Sequence, residues 1–317
     1  MRMSPTPTPD CSTLYDVTII GGGPAGLAAA LILGRSRRRV LLLDAGAPRN
    51  SRAKAVHGMI TRDGTPPAEI RRLAHEQLAA YPLVDRAENW VERVTGERDA
   101  FELDLRGGTR VRTRRIVLAL GMVDVLPELP GYEELWGRAI FQCPYCHAWE
   151  QQDKPFGFLA PGPEALDFAL FLKGWTSDII AFTEGRFEVP AEKREQLEAA
   201  GVRIEERPIL RLILSAEGDR LDALELSDGS RVSREVLFAR PPQHQTALVS
   251  SLGLALDENG YVQVDARQAT SIPGIYAAGD LTTMMQNATM AAAAGNLAAA
   301  MVNHDLAFSA PVLAGQA

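Results

Sequence analysis

No stretch of this 317-residue chain is apolar for the ~18 or more positions a membrane-spanning helix needs, so a membrane is not an expected partner. Cysteine is scarce. Three residues cannot staple a chain of this size. Basic residues are outnumbered, 33 Lys and Arg against 40 Asp and Glu. The net charge of −7 argues against nucleic acid, which demands a basic excess. The first thirteen residues, MRMSPTPTPDCST, lack the apolar stretch of a secretory leader and read as a loose tail. Low-complexity tracts are missing too. With 46% hydrophobic and 23% charged residues the chain is globular and long enough for two domains. The cysteine usage points to a cytoplasmic, reducing location, where a disulfide serves chemistry.

What is there begins with YDVTIIGGGPAGLAAALILGRSRRRVLLLDAG. A strand, Tyr15–Ile20, leads through a glycine-rich turn into an Ala/Leu-rich helix and a second buried strand, Val40–Leu43. This βαβ unit carries the fingerprint G-x-G-x-x-G at Gly21, Gly23 and Gly26. Gly21 makes the tight turn, Gly23 lets a pyrophosphate reach the backbone, and Gly26 lets the helix approach the strand. Pro24 opens the helix at no cost in hydrogen bonds. The helix N-terminus offers N–H groups and a positive dipole end to phosphates. Asp44, eighteen residues after Gly26, can accept the hydroxyls of a ribose. An ordinary glycine-rich turn is the alternative, but the flanking strands and the acid favour a bound adenine dinucleotide. Arg35 and Arg37–Arg39 complement the dipole at the helix end.

Residues 45–65 read as a long loop. Leaving the ribose strand, it places Arg49, Asn50, His57 and Gly58 either along the cofactor or in solvent. Pro66–Tyr81 is an amphipathic helix with Ile70, Leu73 and Leu78 on one side. Alternating segments near 90–95 and 100–106 suggest an antiparallel excursion around Gly107-Gly108. A buried strand, Ile116–Leu120, ends at Gly121, and the Pro/Gly-rich stretch 127–131 reads as a domain crossover. Near the C-terminus, strand Gly274–Ala278 ends in Gly279-Asp280, and an Ala-rich helix starts near Gln286. A carboxylate at such a strand end can hold a ribityl hydroxyl. The small side chains of the helix permit close packing against a flat cofactor or another backbone.

The most chemical segment is FQCPYCHAWE, residues 141–150. Cys143 and Cys146 admit four readings. C-x-x-C-H as a haem site lacks an export signal, and a zinc site lacks a second ligand pair, so no metal is expected. An inert structural pair is possible, but two cysteines this close are rarely silent. A redox disulfide is the fourth reading. Pro144 suits the first position of a short helix, which puts Cys143 at a helix N-terminus that favours thiolate. C-P-Y-C also occurs in glutaredoxins, but those are small proteins with the motif near the N-terminus.

Dinucleotide fingerprint and dithiol together resemble the low-molecular-weight thioredoxin reductase family of flavoproteins, over about residues 14–308. The resemblance rests on GGGPAG, on Ala-Leu-Gly at 119–121, on the central C-x-x-C and on GIYAAGD. It implies an α/β chain with a two-domain FAD/NAD(P)-type Rossmann-like fold, the second domain inserted into the first. Residues 1–13 and 311–317 would be tails, 14–120 and 246–310 the FAD-binding domain, and 121–245 the inserted domain with the C-x-x-C. FAD would be held by Gly21, Gly23, Pro24, Ala25, Gly26, Asp44, Ala45, Asn50, His57, Gly121, Gly279, Asp280, Gln286, Asn287 and Ala288. Cys146 would lie against the flavin and Cys143 would exchange with substrate. That substrate is a dithiol or disulfide, a small molecule or a thioredoxin-like protein. A homodimer is implied as well.

Three departures mark this chain. The inserted domain repeats a βαβ pattern, with strand Lys154–Ala160, helix Pro163–Trp175 and strand Asp178–Phe182. Its turn, however, reads Ala160-Pro161-Gly162-Pro163-Glu164-Ala165, so a side chain occupies the tight turn. Where NADPH users of the family have a basic run, this chain has Thr183-Glu184-Gly185-Arg186. Glu184 falls one residue late for the register of Asp44, so nicotinamide binding reads as lost, with NADH the open alternative. Third, His147 stands where thioredoxin reductases have Asp, and an imidazole near its ordinary pKa of about 6.5 can serve as the base. C-P-Y-C-H, a small residue, an aromatic and Glu look like the dithiol oxidases of gliotoxin and holomycin biosynthesis, although Ala148 replaces their usual Gly. The expected function is FAD-dependent dithiol/disulfide exchange without NADPH. The alternatives are an NAD(P)H-dependent reductase with an atypical site and a non-enzymatic flavin redox sensor.

Overall fold

The computed structural model describes Pro9 and residues 11–309. The tail expected at 311–317 lies outside the described residues, as does most of that at 1–13. Two compact units emerge. One comprises the chain up to Ser51, Pro66–Val123 and the chain from Gln243. The other comprises Arg52–Thr65 and Asp124–Pro242.

The first unit starts with β1 (Leu14–Ile20), α1 (Pro24–Arg35) and β2 (Val40–Asp44), then α2 (Pro67–Leu78) and β3 (Val84–Glu88). An antiparallel excursion follows, β4 (Val91–Thr95), β5 (Phe101–Leu105) and β6 (Arg110–Leu118). Strands β1 and β2 pair in parallel and are largely buried on both faces, as strands covered on both sides are. Helix α1 is built of strong helix formers, with Pro24 in its first turn. It buries Ala29, Ala30 and Leu33 completely. Truncating Leu33 to alanine costs about 2–5 kcal/mol at such a site. Strand β6 begins six residues before the expected Ile116. Its outward Arg110 and Arg112 alternate with buried Val111 and Thr113, the pattern of a strand with one solvated face, which hides it among charges.

The chain enters the second unit at β7 (Val123–Asp124) and continues through α3 (Tyr132–Leu135), β8 (Ile140–Phe141) and α4 (Pro144–His147). Next come β9 (Phe156–Leu159), α5 (Asp167–Leu172), β10 (Ile179–Phe182), α6 (Ala191–Ala199) and β11 (Arg203–Glu205). The antiparallel ribbon β12 (Ile209–Leu214), β13 (Leu221–Leu226) and β14 (Arg231–Ser233) precedes β15 (Val236–Ala239) and the return at β16 (Gln243–His244). The parallel order β11-β10-β9-β15-β8 repeats the nucleotide-fold pattern around a core of Phe141, Phe156, Phe158 and Phe238. The helix expected over Pro163–Trp175 is shorter. Residues Pro163–Ala165 form a 3₁₀ turn and only Asp167–Leu172 is α-helical. Gly174 weakens the end.

Back in the first unit, α7 (Ala247–Leu252) and β17 (Ile275–Ala277) lead to α8 (Ala288–Ser309). The sheet runs β3-β2-β1-β6-β5-β4, with β17 also paired to β6. Helix α8 packs directly on α1. A methyl group built on Gly295 would lie 2.0 Å from the Ala25 carbonyl oxygen, so only glycine permits this approach.

Candidate functional site

Both glycine-rich stretches of the first unit meet at the N-terminus of α1. Gly21 has φ +114°, and a methyl on it would stand 2.2 Å from the Ala119 carbonyl oxygen. A methyl on Gly26 would sit 1.8 Å from the Gly21 carbonyl oxygen. Gly23 is different, with open space at its Cβ position. It is the N-cap of α1 and supplies no side-chain cap. The first-turn N–H groups, from Ala25 onward, are thus left to a ligand. Gly279, at φ +92°, follows β17 and brings its stretch to the same place, its Cβ position 3.0 Å from Ala25 Cβ.

Asp44 ends β2, and a methyl on Gly22 would meet its carboxyl group at 2.6 Å. Arg71 of α2, absent from the sequence reading, holds this acid. It pairs with Asp44 Oδ2 and donates to the Gly22 carbonyl at 2.9 Å. Nothing in the α2 sequence distinguishes Arg71 from Arg72, and only the packing of α2 does. Ala45 and Asn50 are half-buried in the turn after β2, and Gly121, at φ +69°, has open space beside it. Asp280 pairs with Arg49 at 3.1 Å. Arg49 also donates to Gln286 Oε1 at 2.6 Å, and Gln286 Nε2 to Gln243 Oε1 at 2.8 Å. Asn287 has a structural task, its Oδ1 accepting the Met290 N–H at 2.8 Å, so α8 starts at Ala288. An open cradle at Gly23, an uncapped helix end and a carboxylate at the strand end fit the pyrophosphate and ribose of an adenine dinucleotide.

The second unit holds the cysteine pair as a disulfide, Cys143–Cys146, with S–S 2.10 Å and Cα–Cα 5.3 Å. Cys143 is the N-cap of α4, with Pro144 in its first turn. Tyr145, between the cysteines, is 69% exposed, and its ring meets Phe171 at 5.6 Å and Trp175 at 5.9 Å edge-on. Trp149 is also exposed. The sequence reading missed this aromatic surface because α5 and the chain after it supply half of it.

His147 stacks on Phe141, ring centroids 4.3 Å apart. Among the described residues neither ring nitrogen has a hydrogen-bond partner. Burial first, and positive charge on His57 second, push its pKa down to about 4. A polar contact with the Cys143 backbone opposes the shift without meeting hydrogen-bond geometry. The ring is therefore neutral well into mild acid, unlike a base near 6.5. His57, expected among the cofactor residues, falls in the second unit. Segment 52–65 belongs to the second unit, where the Val56–Thr65 bridge and the Arg52–Glu133 ion pair at 2.9 Å hold it. His57 Nδ1 lies 3.4 Å from Glu150 Oε1 and 3.6 Å from Asp63 Oδ1. Among the described residues no three of His, Cys, Asp and Glu gather as a metal cluster.

The second βαβ turn is closed differently from the first. Ala160 is buried, and a methyl on Gly162 would meet Glu164 Oε1 at 2.5 Å, so the Glu164 carboxylate folds over the turn. Glu184 adopts φ +54° and pairs with Arg186 at 2.7 Å while accepting the Ile209 N–H at 3.5 Å.

A family model described as pyridine nucleotide-disulphide oxidoreductase matches residues 15–295. "Thioredoxin reductase tcpT" of Claviceps purpurea is 32% identical, with 93% of this chain and 95% of that protein covered. "Thioredoxin reductase sirT" of Leptosphaeria maculans is 31% identical over 92% and 94%. Among solved structures, HlmI superposes with TM-score 0.87 at 36% identity, covering 93% of both chains. An oxidoreductase from Agrobacterium tumefaciens gives 0.88 at 35%, covering 94% of this chain and all of that one.

Proposed function

Because the chain belongs to the pyridine nucleotide-disulphide oxidoreductase family, whose thioredoxin reductase-like members are FAD-binding flavoproteins, we propose that it catalyses FAD-dependent dithiol/disulfide exchange through Cys143 and Cys146 without NADPH. The observation that carries this reading is the disulfide between these two residues.

In the oxidative direction a substrate thiolate attacks Cys143 Sγ and Cys146 leaves as thiolate. A second substrate thiolate attacks the substrate sulfur of the mixed disulfide and Cys143 leaves. The substrate gains one S–S bond and the protein loses one, so the electron pair ends on the cysteines. Bound FAD supplies the two-electron sink that returns the pair to its disulfide. The same atoms run backward to reduce a disulfide. The turn Gly21–Gly26, Asp44 and Asp280 would hold the cofactor, with Arg71 and Arg49 fixing the two acids. Tyr145 and Trp149 offer an apolar surface beside the pair for the substrate.

Three features support independence from NADPH. Ala160 stands in the tight turn, Glu164 covers Gly162, and Glu184 presents a carboxylate already paired with Arg186. A pyrophosphate arriving there meets negative charge instead of free N–H groups. We also read the working form as a cytoplasmic homodimer, which light scattering on purified protein checks.

Anaerobic mixing of the flavin-loaded protein with NADPH, NADH or a dithiol, followed by the visible absorbance of the flavin, tests the reading. Bleaching by dithiol alone is the expected outcome. Rapid bleaching by NADPH or NADH would overturn independence from these donors, and no bleaching by dithiol would overturn the exchange chemistry.

A further inference from the structure

Glu150 follows His147 by three residues in the helical run from Pro144 to Gln151, so both side chains share one face. His57 reaches that face from segment 52–65, its Nδ1 between Glu150 Oε1 at 3.4 Å and Asp63 Oδ1 at 3.6 Å. Asp63 is itself fixed by the Gly58 N–H at 2.8 Å. Two imidazoles thus stand in unequal surroundings, that of His147 directly after Cys146 in the chain and that of His57 against Glu150 of the same run. That of His57 faces two carboxylates. That of His147 is closed against Phe141, with both nitrogens unpartnered among the described residues. A proton on one ring resists a proton on the other.

We propose that His57, with Glu150, is a positioning residue for proton movement at the cysteine pair, holding the proton that His147 passes on. The inference rests on the exchange chemistry proposed above. When a dithiol reduces the disulfide, two S–H protons leave the substrate sulfurs as these form their S–S bond. Cys143 takes one and Cys146 remains thiolate, so one proton is left over. Neutral His147 accepts it from the sulfur. An imidazolium closed on Phe141 and next to His57 is disfavoured, whereas a proton passed toward His57 meets the carboxylates of Glu150 and Asp63. The groups acting on His147 are His57 from segment 52–65, the Cys143 backbone from its own run and uncharged Phe141 from β8, while Glu150 of that run pairs with His57.

The test follows the His147 ring by ¹⁵N NMR through a pH titration of the flavin-loaded protein, in wild type, His57→Gln and Glu150→Gln. In parallel, the oxidised protein is reduced anaerobically with dithiothreitol, quenched by alkylation, and the Cys143 and Cys146 thiols are counted by mass spectrometry across about pH 5 to 9. His57→Gln should raise the His147 titration by about one pH unit, a tenfold gain in proton affinity. It should also slow reduction several-fold in acid relative to wild type. Glu150→Gln separates the routes. Acting through His57, loss of the carboxylate weakens the competing proton site and raises the His147 titration. Acting on His147 directly, it lowers it. An unmoved titration in His57→Gln, or a downward one in Glu150→Gln, overturns the proposal. A wild-type pair that dithiothreitol leaves intact would overturn the exchange chemistry instead, and the NMR titration still decides the role of His57.

Discussion

His147 lies flat on Phe141, ring centroids 4.3 Å apart and planes 11° from parallel. The stack closes one face of the imidazole to water, and burial then disfavours the charged ring. Its pKa falls from 6.5 to about 4. The unfolded chain holds that proton more tightly than the folded one. The stability from the neutral ring is complete above about pH 6.5 and is lost as pH falls toward about 4. The slope is at most about 1.4 kcal/mol per pH unit. Urea midpoints of wild type should therefore drop more steeply across that window than those of His147→Asn. Parallel slopes would reject a neutral buried ring.

Phe141 is 4% exposed and packs on Phe238 as well as on His147. Phe141→Ala should cost about 3–5 kcal/mol in chemical denaturation. It should also hydrate His147 and move its NMR titration upward. Destabilisation with an unmoved titration would mean that other walls keep the imidazole dry.

Arg71 contacts Asp44 and the Gly22 carbonyl together, tying the ribose acid to the phosphate turn. Arg71→Ala frees the carboxylate to rotate and removes a side chain that bridges both halves of the cradle. FAD affinity, read by flavin fluorescence on titration into apoprotein, should weaken about tenfold, or about 1.4 kcal/mol. An unchanged affinity would show that Asp44 is held well enough by the Gly46 N–H that also reaches it.

Local signals were readable and long-range ones were not. Gly21, Gly23, Gly26 and Pro24 specify a strand–turn–helix within a dozen residues, and α1 opens at Pro24 as the pattern requires. Cys143-Pro144 likewise predicts the N-cap and start of α4. The affiliation of His57 is set by the Val56–Thr65 bridge and by Arg52 on Glu133, a partner 81 residues away. No neighbouring residue announces it. Arg115 shows the same limit, because a fully buried arginine in β6 makes sense only beside Asp99 and Asp305. The expected helix Pro163–Trp175 opens instead as a 3₁₀ turn over Pro163–Ala165 before its α-helical part, Asp167–Leu172.

Gly295 sets the distance between α8 and α1. With the Ala25 carbonyl 2.0 Å from its Cβ position, Gly295→Ala pushes backbone against backbone, and neither helix has a flexible side chain that can yield. The expected loss is about 1–3 kcal/mol, as for overpacking of a core. Because Ala25 also lines the phosphate turn, FAD retention on gel filtration should fall in parallel. A variant as stable as wild type would show that α8 can slide without disturbing α1.

The two cysteines should differ in what they trap. Cys143 precedes α4 with extended backbone, φ −117° and ψ 111°, where the helix end favours thiolate, whereas Cys146 lies inside the helix, its N–H bonded to the Cys143 carbonyl at 3.2 Å. In Cys146→Ser the remaining Cys143 thiolate attacks a disulfide probe, and no second thiol is left to release the adduct. Mass spectrometry should show a stable mixed disulfide. In Cys143→Ser the remaining thiol lacks the helix-end position, and adduct formation should be about tenfold slower. Equal trapping rates would remove the division of labour between attacking and resolving sulfur, and with it the reason for a proline at the start of this helix.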